Sequence, residues 1–167
     1  MGAFSYQPLS SAHAEAWQEL RLEGTHDFPL GFLTTLEEAA AASHEICCAI
    51  LDGEGLRGVF EEQKLVGFCG YRPGKLSRIE HRGTIGPFFV TRACQGKGAA
   101  RVLMQGVINE ARESGLAQLE LYVDTENHRA IAFYEKSGFK RVATHPDSLR
   151  IDGQSRDDHF YVLRLHD

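Results

Sequence analysis

The chain has 167 residues, and 43% of them are hydrophobic, which is typical of one globular domain around a single core. Its 18 basic and 23 acidic residues give a formal net charge of −5, which argues against a broad nucleic-acid surface. No apolar run approaches the ~18 residues that span a bilayer, and the N-terminus lacks the regions of a signal peptide. We therefore expect one domain over residues 1–167, in the cytoplasm, with neither nucleic acid nor membrane as a partner.

Cysteine and histidine spacing predicts no metal site. Cys47 and Cys48 are adjacent, and Cys69 and Cys94 stand alone, so no C-x-x-C pair occurs. The eight histidines are scattered, without the spacing of a helical metal site. We expect reduced thiols and no metal.

The N-terminal part of the chain predicts a strand followed by helices. A short strand is expected over 4–7, and a serine at position 10 or 11 can cap a helix with an apolar stripe. Gly24 and Pro29 are expected to end that helix. A second helix, rich in Ala and Glu, is expected over about 33–44.

Three strands are expected next. The pattern over 58–61 and 65–71 predicts a hairpin, and the apolar run 83–90 predicts a third strand. Gly86 and Pro87 interrupt this third strand. Because proline cannot donate to a strand ladder, we expect a bulge or a break in pairing there.

The C-terminal part predicts a helix over 98–114, a strand over 119–123 and a helix over 127–137. A turn at Asp152-Gly153 and a strand over 160–165 then predict a closing hairpin. This order is not a regular βαβ alternation, so the expected fold class is a mixed α/β (α+β) arrangement.

The segment from Gln95 to Ala100 has the composition of a phosphate-binding loop. It joins a predicted strand to a predicted helix, where free backbone N–H groups and the helix dipole favour an anion. Gly96 and Gly98 leave the backbone open to a close approach. Taken alone, the glycine pair fits a tight strand-to-helix turn equally well.

Two common nucleotide motifs do not fit this loop. A Walker A loop needs a first glycine where Thr91 stands and a Ser or Thr where Gly98 stands. A Rossmann fingerprint needs a third glycine where Arg101 stands. The loop is therefore not expected to bind ATP as a Walker A loop does, or a dinucleotide as a Rossmann loop does.

The pattern Gln95-x-x-Gly98-x-Ala100 resembles the acetyl-CoA motif Q/R-x-x-G-x-G/A of GNAT N-acetyltransferases. A second block, from Val123 through Asn127, Ala130 and Tyr134 to Gly138-Phe139, resembles the family's V-x-x-x-N-x-x-A-x-x-x-Y-x-x-x-G-F block. The resemblance implies a GNAT-like central sheet of about seven strands, with helices on both faces and with splayed fourth and fifth strands.

The resemblance also implies acetyl-CoA as cosubstrate and a set of residues that hold it. The implied cofactor-binding residues are Phe88, Phe89, Val90, Gln95, Gly96, Lys97, Gly98, Ala99, Ala100, Asn127, Ala130 and Tyr134. Tyr134 matches the family's general acid, which protonates the leaving thiolate.

The proton acceptor is a point of departure from the family. Many members carry a glutamate early in the fourth strand, but Thr84 stands at that position here. Of the nearby candidates we rank His81 and Asp124 ahead of Glu80 and His128.

The function implied is acetyl transfer from acetyl-CoA to a primary amine of a small molecule or amino acid, by direct attack in a ternary complex. A protein N-terminal or lysine acetyltransferase and a non-catalytic acyl-CoA sensor are the alternatives. The resemblance suggests a monomer or homodimer.

Overall fold

A computed structural model describes residues 3–166, which form one mixed sheet and five α-helices. The strands are β1 (Phe4–Pro8), β2 (Leu56–Glu61), β3 (Lys64–Pro73), β4 (Arg82–Val90), β5 (Gln118–Asp124), β6 (Lys140–Ile151) and β7 (Gln154–Arg164). The helices are α1 (Ala14–Asp27), α2 (Leu36–Ala40), α3 (His44–Asp52), α4 (Ala99–Glu113) and α5 (His128–Lys136). The strand order is β1-β2-β3-β4-β5-β7-β6, with β4 and β5 parallel, so the predicted mixed α/β fold with about seven strands is confirmed.

The described residues fall into two compact units. The first contains residues up to Tyr71 together with Pro87–Val107, and the second contains Arg72–Gly86 and the chain from Ile108 onward. The prediction of one domain over 1–167 stays a prediction.

Helix α1 packs on an aromatic cluster in the first unit. The rings of Phe32, Phe68 and Phe89 lie with centroids 5.9–6.3 Å apart, and the Trp17 ring lies 6.0 Å from that of Phe68. The sequence predicts that α1 ends at Gly24, but the helix continues to Asp27. Gly24 lies inside the helix. The position requires glycine because a β-carbon there would collide with the Phe32 ring.

The helical stretch predicted over 33–44 is two helices, α2 and α3. Thr35 caps α2 in a capping box, with Glu38 N–H donating to its hydroxyl at 3.1 Å. Ser43 caps α3 by accepting from Ile46 N–H at 3.3 Å. The cap at Ser43 begins a second helix. The Ala-rich composition of the segment does not predict this division.

Strand β5 lies between β4 and β7 and organises the second unit. It pairs antiparallel with β7 from Gln118↔Arg164 to Asp124↔Asp158. The hairpin β6–β7 turns at Asp152 and Gly153, both with positive φ, as predicted, although both strands are longer than the pattern over 160–165 indicated.

Pairing between β4 and β5 is short. In the described chain three register pairs are present, and the last is Thr84↔Glu120, although both strands continue beyond it. Gly86 follows with φ +143°, and its carbonyl accepts from Arg72 Nη2 at 2.8 Å. This agrees with the predicted break at Gly86-Pro87.

None of the helices within residues 3–166 combines the length and the apolar character of a transmembrane span. These residues also contain no cluster of three or more His, Cys, Asp or Glu side chains arranged to hold a metal ion.

Candidate active site

The predicted phosphate loop follows β4 in the first unit. Gly96 and Gly98 adopt φ +74° and +99°, a backbone conformation that residues with a β-carbon rarely adopt. Apart from the glycine itself and its two neighbours in the chain, no atom lies within 4 Å of the position that a β-carbon would take at either glycine. The loop is therefore open at both positions and its backbone can be approached closely.

Helix α4 begins directly after this loop. The N–H of Val102 donates to the carbonyl of Gly98 at 3.1 Å. The N–H groups of Ala99, Ala100 and Arg101 belong to the first turn, so they have no intrahelical acceptor. Together with the positive end of the helix dipole, these donors form a site suited to phosphate.

The loop is tied back to the strand before it. Gln95 Nε2 donates to the carbonyl of Val90 at 2.9 Å, and Lys97 N–H donates to the carbonyl of Cys94 at 3.3 Å. These bonds fix the path between the end of β4 and the start of α4, so Gln95 has a structural role at the place where the motif requires it.

Glu23 of α1 binds Thr91 and Arg92, the two residues that follow β4 and lead into this loop. Sequence reasoning missed this residue. The hydroxyl of Thr91 donates to both carboxylate oxygens of Glu23, at 2.8 and 2.9 Å, and Arg92 N–H donates at 3.0 Å. Thr91 and Glu23 are 68 positions apart in the chain, and no local pattern links them.

Of the predicted contributors on β4, Phe89 and Val90 have buried side chains, and Phe88 is half-buried. The Phe89 carbonyl would lie 2.8 Å from a β-carbon at Gly67, so β3 and β4 approach closely here. Since the Phe89 ring belongs to the core, a cofactor role for it is restricted to its backbone.

Helix α5 carries Tyr134 in the second unit. Its side chain is 8% exposed, and its ring lies 5.6 Å from that of Phe133 and 6.0 Å from that of Phe139. Asn127 caps the helix by accepting from Ala130 N–H at 3.3 Å. The cap accounts for Asn127, and the predicted cofactor contacts of Asn127 and Ala130 stay predictions.

Asp124 ends β5 with a carboxylate that is 2% exposed and bound on both oxygens. Arg156 donates to it from Nε and, at 2.7 Å, from Nη2, and Glu126 N–H donates at 2.9 Å. Burial raises the pKa of Asp124, but the hydrogen bonds from Arg156 and Glu126 N–H outweigh it and hold the pKa below its ordinary value.

His81 precedes β4 with an exposed side chain. Its carbonyl accepts from Ala117 N–H at 2.7 Å and from Gln118 N–H at 3.3 Å, which anchors the start of β5. Close by on β5, Glu120 is a buried carboxylate that sequence reasoning missed. The alternation of Leu119 and Leu121 around it predicts only an outward polar position.

The predicted site residues are therefore grouped within each unit. The first unit contains the segments 88–90 and 95–100, and the second contains His81, Asp124, Asn127, Ala130 and Tyr134.

A family model described as the acetyltransferase (GNAT) family matches residues 12–139, and the chain belongs to this family. The cosubstrate of the family is acetyl-CoA, and the loop between β4 and α4 has the features needed to bind its diphosphate. The open backbone at Gly96 and Gly98 and the helix N-terminus are what a diphosphate requires.

Several relatives are mycothiol acetyltransferases. That of Thermomonospora curvata is 30% identical over 131 residues, which is 77% of this chain and 41% of the relative. That of Jonesia denitrificans is 32% identical over 96 residues, which is 58% of this chain and 30% of the relative. The chain thus spans less than half the length of these relatives.

Solved acetyltransferases share the fold over nearly the whole chain. A putative acetyltransferase from Salmonella typhimurium, solved with its cofactor acetyl-CoA, has a TM-score of 0.82 at 18% identity, covering 98% of this chain and 95% of its own. A ribosomal-protein-alanine N-acetyltransferase from Brucella melitensis has a TM-score of 0.75 at 20% identity, covering 95% and 98%. At these identities the likeness shows the fold alone.

Proposed function

We propose that the chain transfers an acetyl group from acetyl-CoA to the primary amine of a small molecule or amino acid, by direct attack in a ternary complex. The observation that carries this proposal is the open loop at Gly96 and Gly98, placed at the N-terminus of α4 in a chain of the GNAT family.

The first unit supplies the groups that hold the cosubstrate. Residues 95–100 bind its pyrophosphate through backbone N–H groups, and the backbone of 88–90 pairs with its pantetheine arm. A backbone N–H near Val90 polarises the thioester carbonyl and stabilises the oxyanion, a contribution of about 3 kcal/mol in acyl transfer.

Tyr134 is the proposed general acid for the leaving thiolate. A phenol with a reference pKa of about 10 can protonate a thiolate whose thiol has a pKa near 8.5. Packing between Phe133 and Phe139 fixes the ring, which supports a role that depends on orientation.

The proton acceptor for the ammonium group is proposed to be His81 or Asp124 from the sequence. The exposed side chain of His81 is accessible to water. Asp124 is engaged by three hydrogen bonds, and its lowered pKa makes it a weak base.

A thiol-release assay over a panel of amines, amino acids and peptides tests the proposed function. Thiol release with small amines supports the proposal, and release only with peptides supports a protein N-terminal or lysine acetyltransferase. The panel includes the acceptor of mycothiol acetyltransferases because several relatives carry that name. Binding of acetyl-CoA without thiol release for any acceptor would make the chain an acyl-CoA sensor.

A further inference from the structure

The acetyl transfer proposed above requires a group that takes a proton from the acceptor's ammonium nitrogen, and the inference that follows depends on that proposed function. The second unit holds a buried carboxylate with no role so far. Glu120 lies in the middle of β5 and is 5% exposed. A buried carboxylate is costly unless it is paired, so its surroundings show what it can do.

Glu120 forms the last register pair of the β4–β5 ladder, opposite Thr84. Residues in register on neighbouring strands project from the same face of the sheet, with backbones about 4.8 Å apart. Beyond this pair both strands continue without further pairing to each other in the described chain. The carboxylate thus lies at the point where the two parallel strands stop pairing.

Two neighbours on the same face hold Glu120. Arg82 Nη1 donates to Oε2 at 2.6 Å, and Gln118 Nε2 donates to Oε1 at 2.7 Å. A carboxylate has about four acceptor positions, so each oxygen of Glu120 keeps one for a water or an ammonium group. Asp124 has less capacity left, because three donors already bind its oxygens.

We propose that Glu120, in place of His81 or Asp124, is the proton acceptor of the reaction, taking one proton from the acceptor's ammonium group directly or through one water. The neutral amine then forms its C–N bond to the thioester carbon as the C–S bond breaks. The leaving sulfur receives the proton of the Tyr134 hydroxyl, which is replaced by the second nitrogen proton. Glu120 afterwards releases its proton to solvent, so the overall reaction yields an amide, a thiol and one proton.

Charged and titratable residues of β4, β5 and β7 lie around Glu120 in the second unit. Arg82 faces it from β4, with a side chain that is 39% exposed. On β7, Val162 is in register with Glu120, and Arg164 is in register with Gln118. Tyr122 follows on the same face of β5.

The test is the pH profile of kcat/KM for the amine in Glu120→Gln, which keeps the size of the side chain and removes its charge. We expect a loss of about 100-fold or more near neutral pH. We also expect the rate to rise about tenfold per pH unit towards the pKa of the amine, because only amine that is already neutral then reacts. Glu113→Gln, the same change at an exposed position of α4, should match the wild type.

Two further variants separate proton transfer from support of the fold. Glu120→Asp keeps the carboxylate, so it should retain the wild-type profile at a reduced rate even where Glu120→Gln is too unstable to assay. Thr84→Glu introduced into Glu120→Gln places a carboxylate at the register partner and should recover part of the lost rate.

Three results would overturn the inference. The first is wild-type activity and pH profile in Glu120→Gln. The second is an equal loss at every pH together with an unchanged profile, which would make Glu120 only the partner of Arg82. The third is a wild type that releases no thiol with any acceptor, and in that case the proposed function fails as well. Thermal melting with and without acetyl-CoA reports on the fold of each variant independently of turnover.

Discussion

At the scale of single residues, β5 contains two buried carboxylates with different hydrogen-bond partners. Asp124 is bound by the guanidinium of Arg156 and a backbone N–H, an arrangement that joins β5 to β7. Glu120 has one guanidinium partner and one amide partner. Glu120 therefore has more accepting capacity left than Asp124.

The first residue-scale prediction concerns Tyr134. Replacing Tyr134 with Phe should lower kcat by about 100-fold, because the proposed general acid is lost. The affinity for acetyl-CoA should change little, since the ring still packs against Phe133 and Phe139. Steady-state kinetics together with a binding titration measure both quantities. An unchanged kcat would reduce Tyr134 to a packing residue.

The second residue-scale prediction concerns Asp124. Asp124→Asn should lower the free energy of unfolding by about 3 kcal/mol, because it leaves the Arg156 guanidinium without its buried partner. The folded-state pKa of Asp124 lies below its ordinary value, so this stabilisation is present above about pH 3.9 and is lost as the pH falls through the folded pKa. Urea denaturation at neutral pH and near pH 3 measures the effect.

The matched control for Asp124→Asn is Asp147→Asn, the same change in a carboxylate that pairs with Arg150. Hydrogen bonds from Arg150 and Ser155 lower the pKa of Asp147 to about 2, but this pair is exposed to solvent. We expect only a small change in stability there, because solvent screens exposed pairs. Equal losses for the two variants would contradict the structural role of Asp124.

At the scale of elements, helix α4 has an open, positive-φ glycine beside each end. Gly98 precedes it with φ +99°, and Gly115 follows it with φ +78°; neither has an atom within 4 Å of a β-carbon position. Valine should strain both positions by about 1–2 kcal/mol. The proposed phosphate site, however, lies only at the N-terminal end.

We therefore predict that Gly98→Val loses the thermal stabilisation by acetyl-CoA, whereas Gly115→Val retains it. Both variants should fold, with similar decreases in melting temperature. Thermal melts with and without acetyl-CoA provide the comparison. Retention of the acetyl-CoA effect in Gly98→Val would show that the phosphates bind elsewhere.

The link between α1 and the loop entrance gives a second element-scale prediction. Glu23→Ala removes the bonds that hold Thr91 and Arg92, so the KM for acetyl-CoA should rise about tenfold, equivalent to ~1.4 kcal/mol, with kcat nearly unchanged. Glu19→Ala makes the same change at an exposed position of α1 and should leave the KM unaltered. An equal effect of both variants would mean that only the stability of α1 had changed.

Local signals in the sequence account for what could be predicted of the elements and the site. The loop at Gly96 and Gly98, the Asn127 cap and the break at Gly86 are visible within a few residues. The bonds of Glu23 to Thr91 and Arg92 and the bond of Arg82 to Glu120 join residues 38–69 positions apart, so no local pattern reveals them.

At the scale of the whole molecule, the strand order also depends on long-range contacts that local sequence patterns do not reveal. Strands β1 to β5 are neighbours in chain order, but β7 lies between β5 and β6. The turn at Asp152-Gly153 predicts the hairpin and does not predict which of its strands pairs with β5. Pairing depends on the faces of β5 and β7, where Leu121 and Tyr161 are buried together in register.

The last prediction concerns the stability of the whole chain. Acetyl-CoA is proposed to bind the folded state, so it should stabilise that state by about 2.7 kcal/mol at a hundredfold excess over its dissociation constant. ATP and NAD should shift the melting temperature much less, because the loop at Gln95–Ala100 lacks both the Walker A and the Rossmann patterns. Coenzyme A without the acetyl group should retain most of the effect, since the pyrophosphate supplies the main anchor. A larger shift with ATP or NAD than with acetyl-CoA would refute the assignment of the loop.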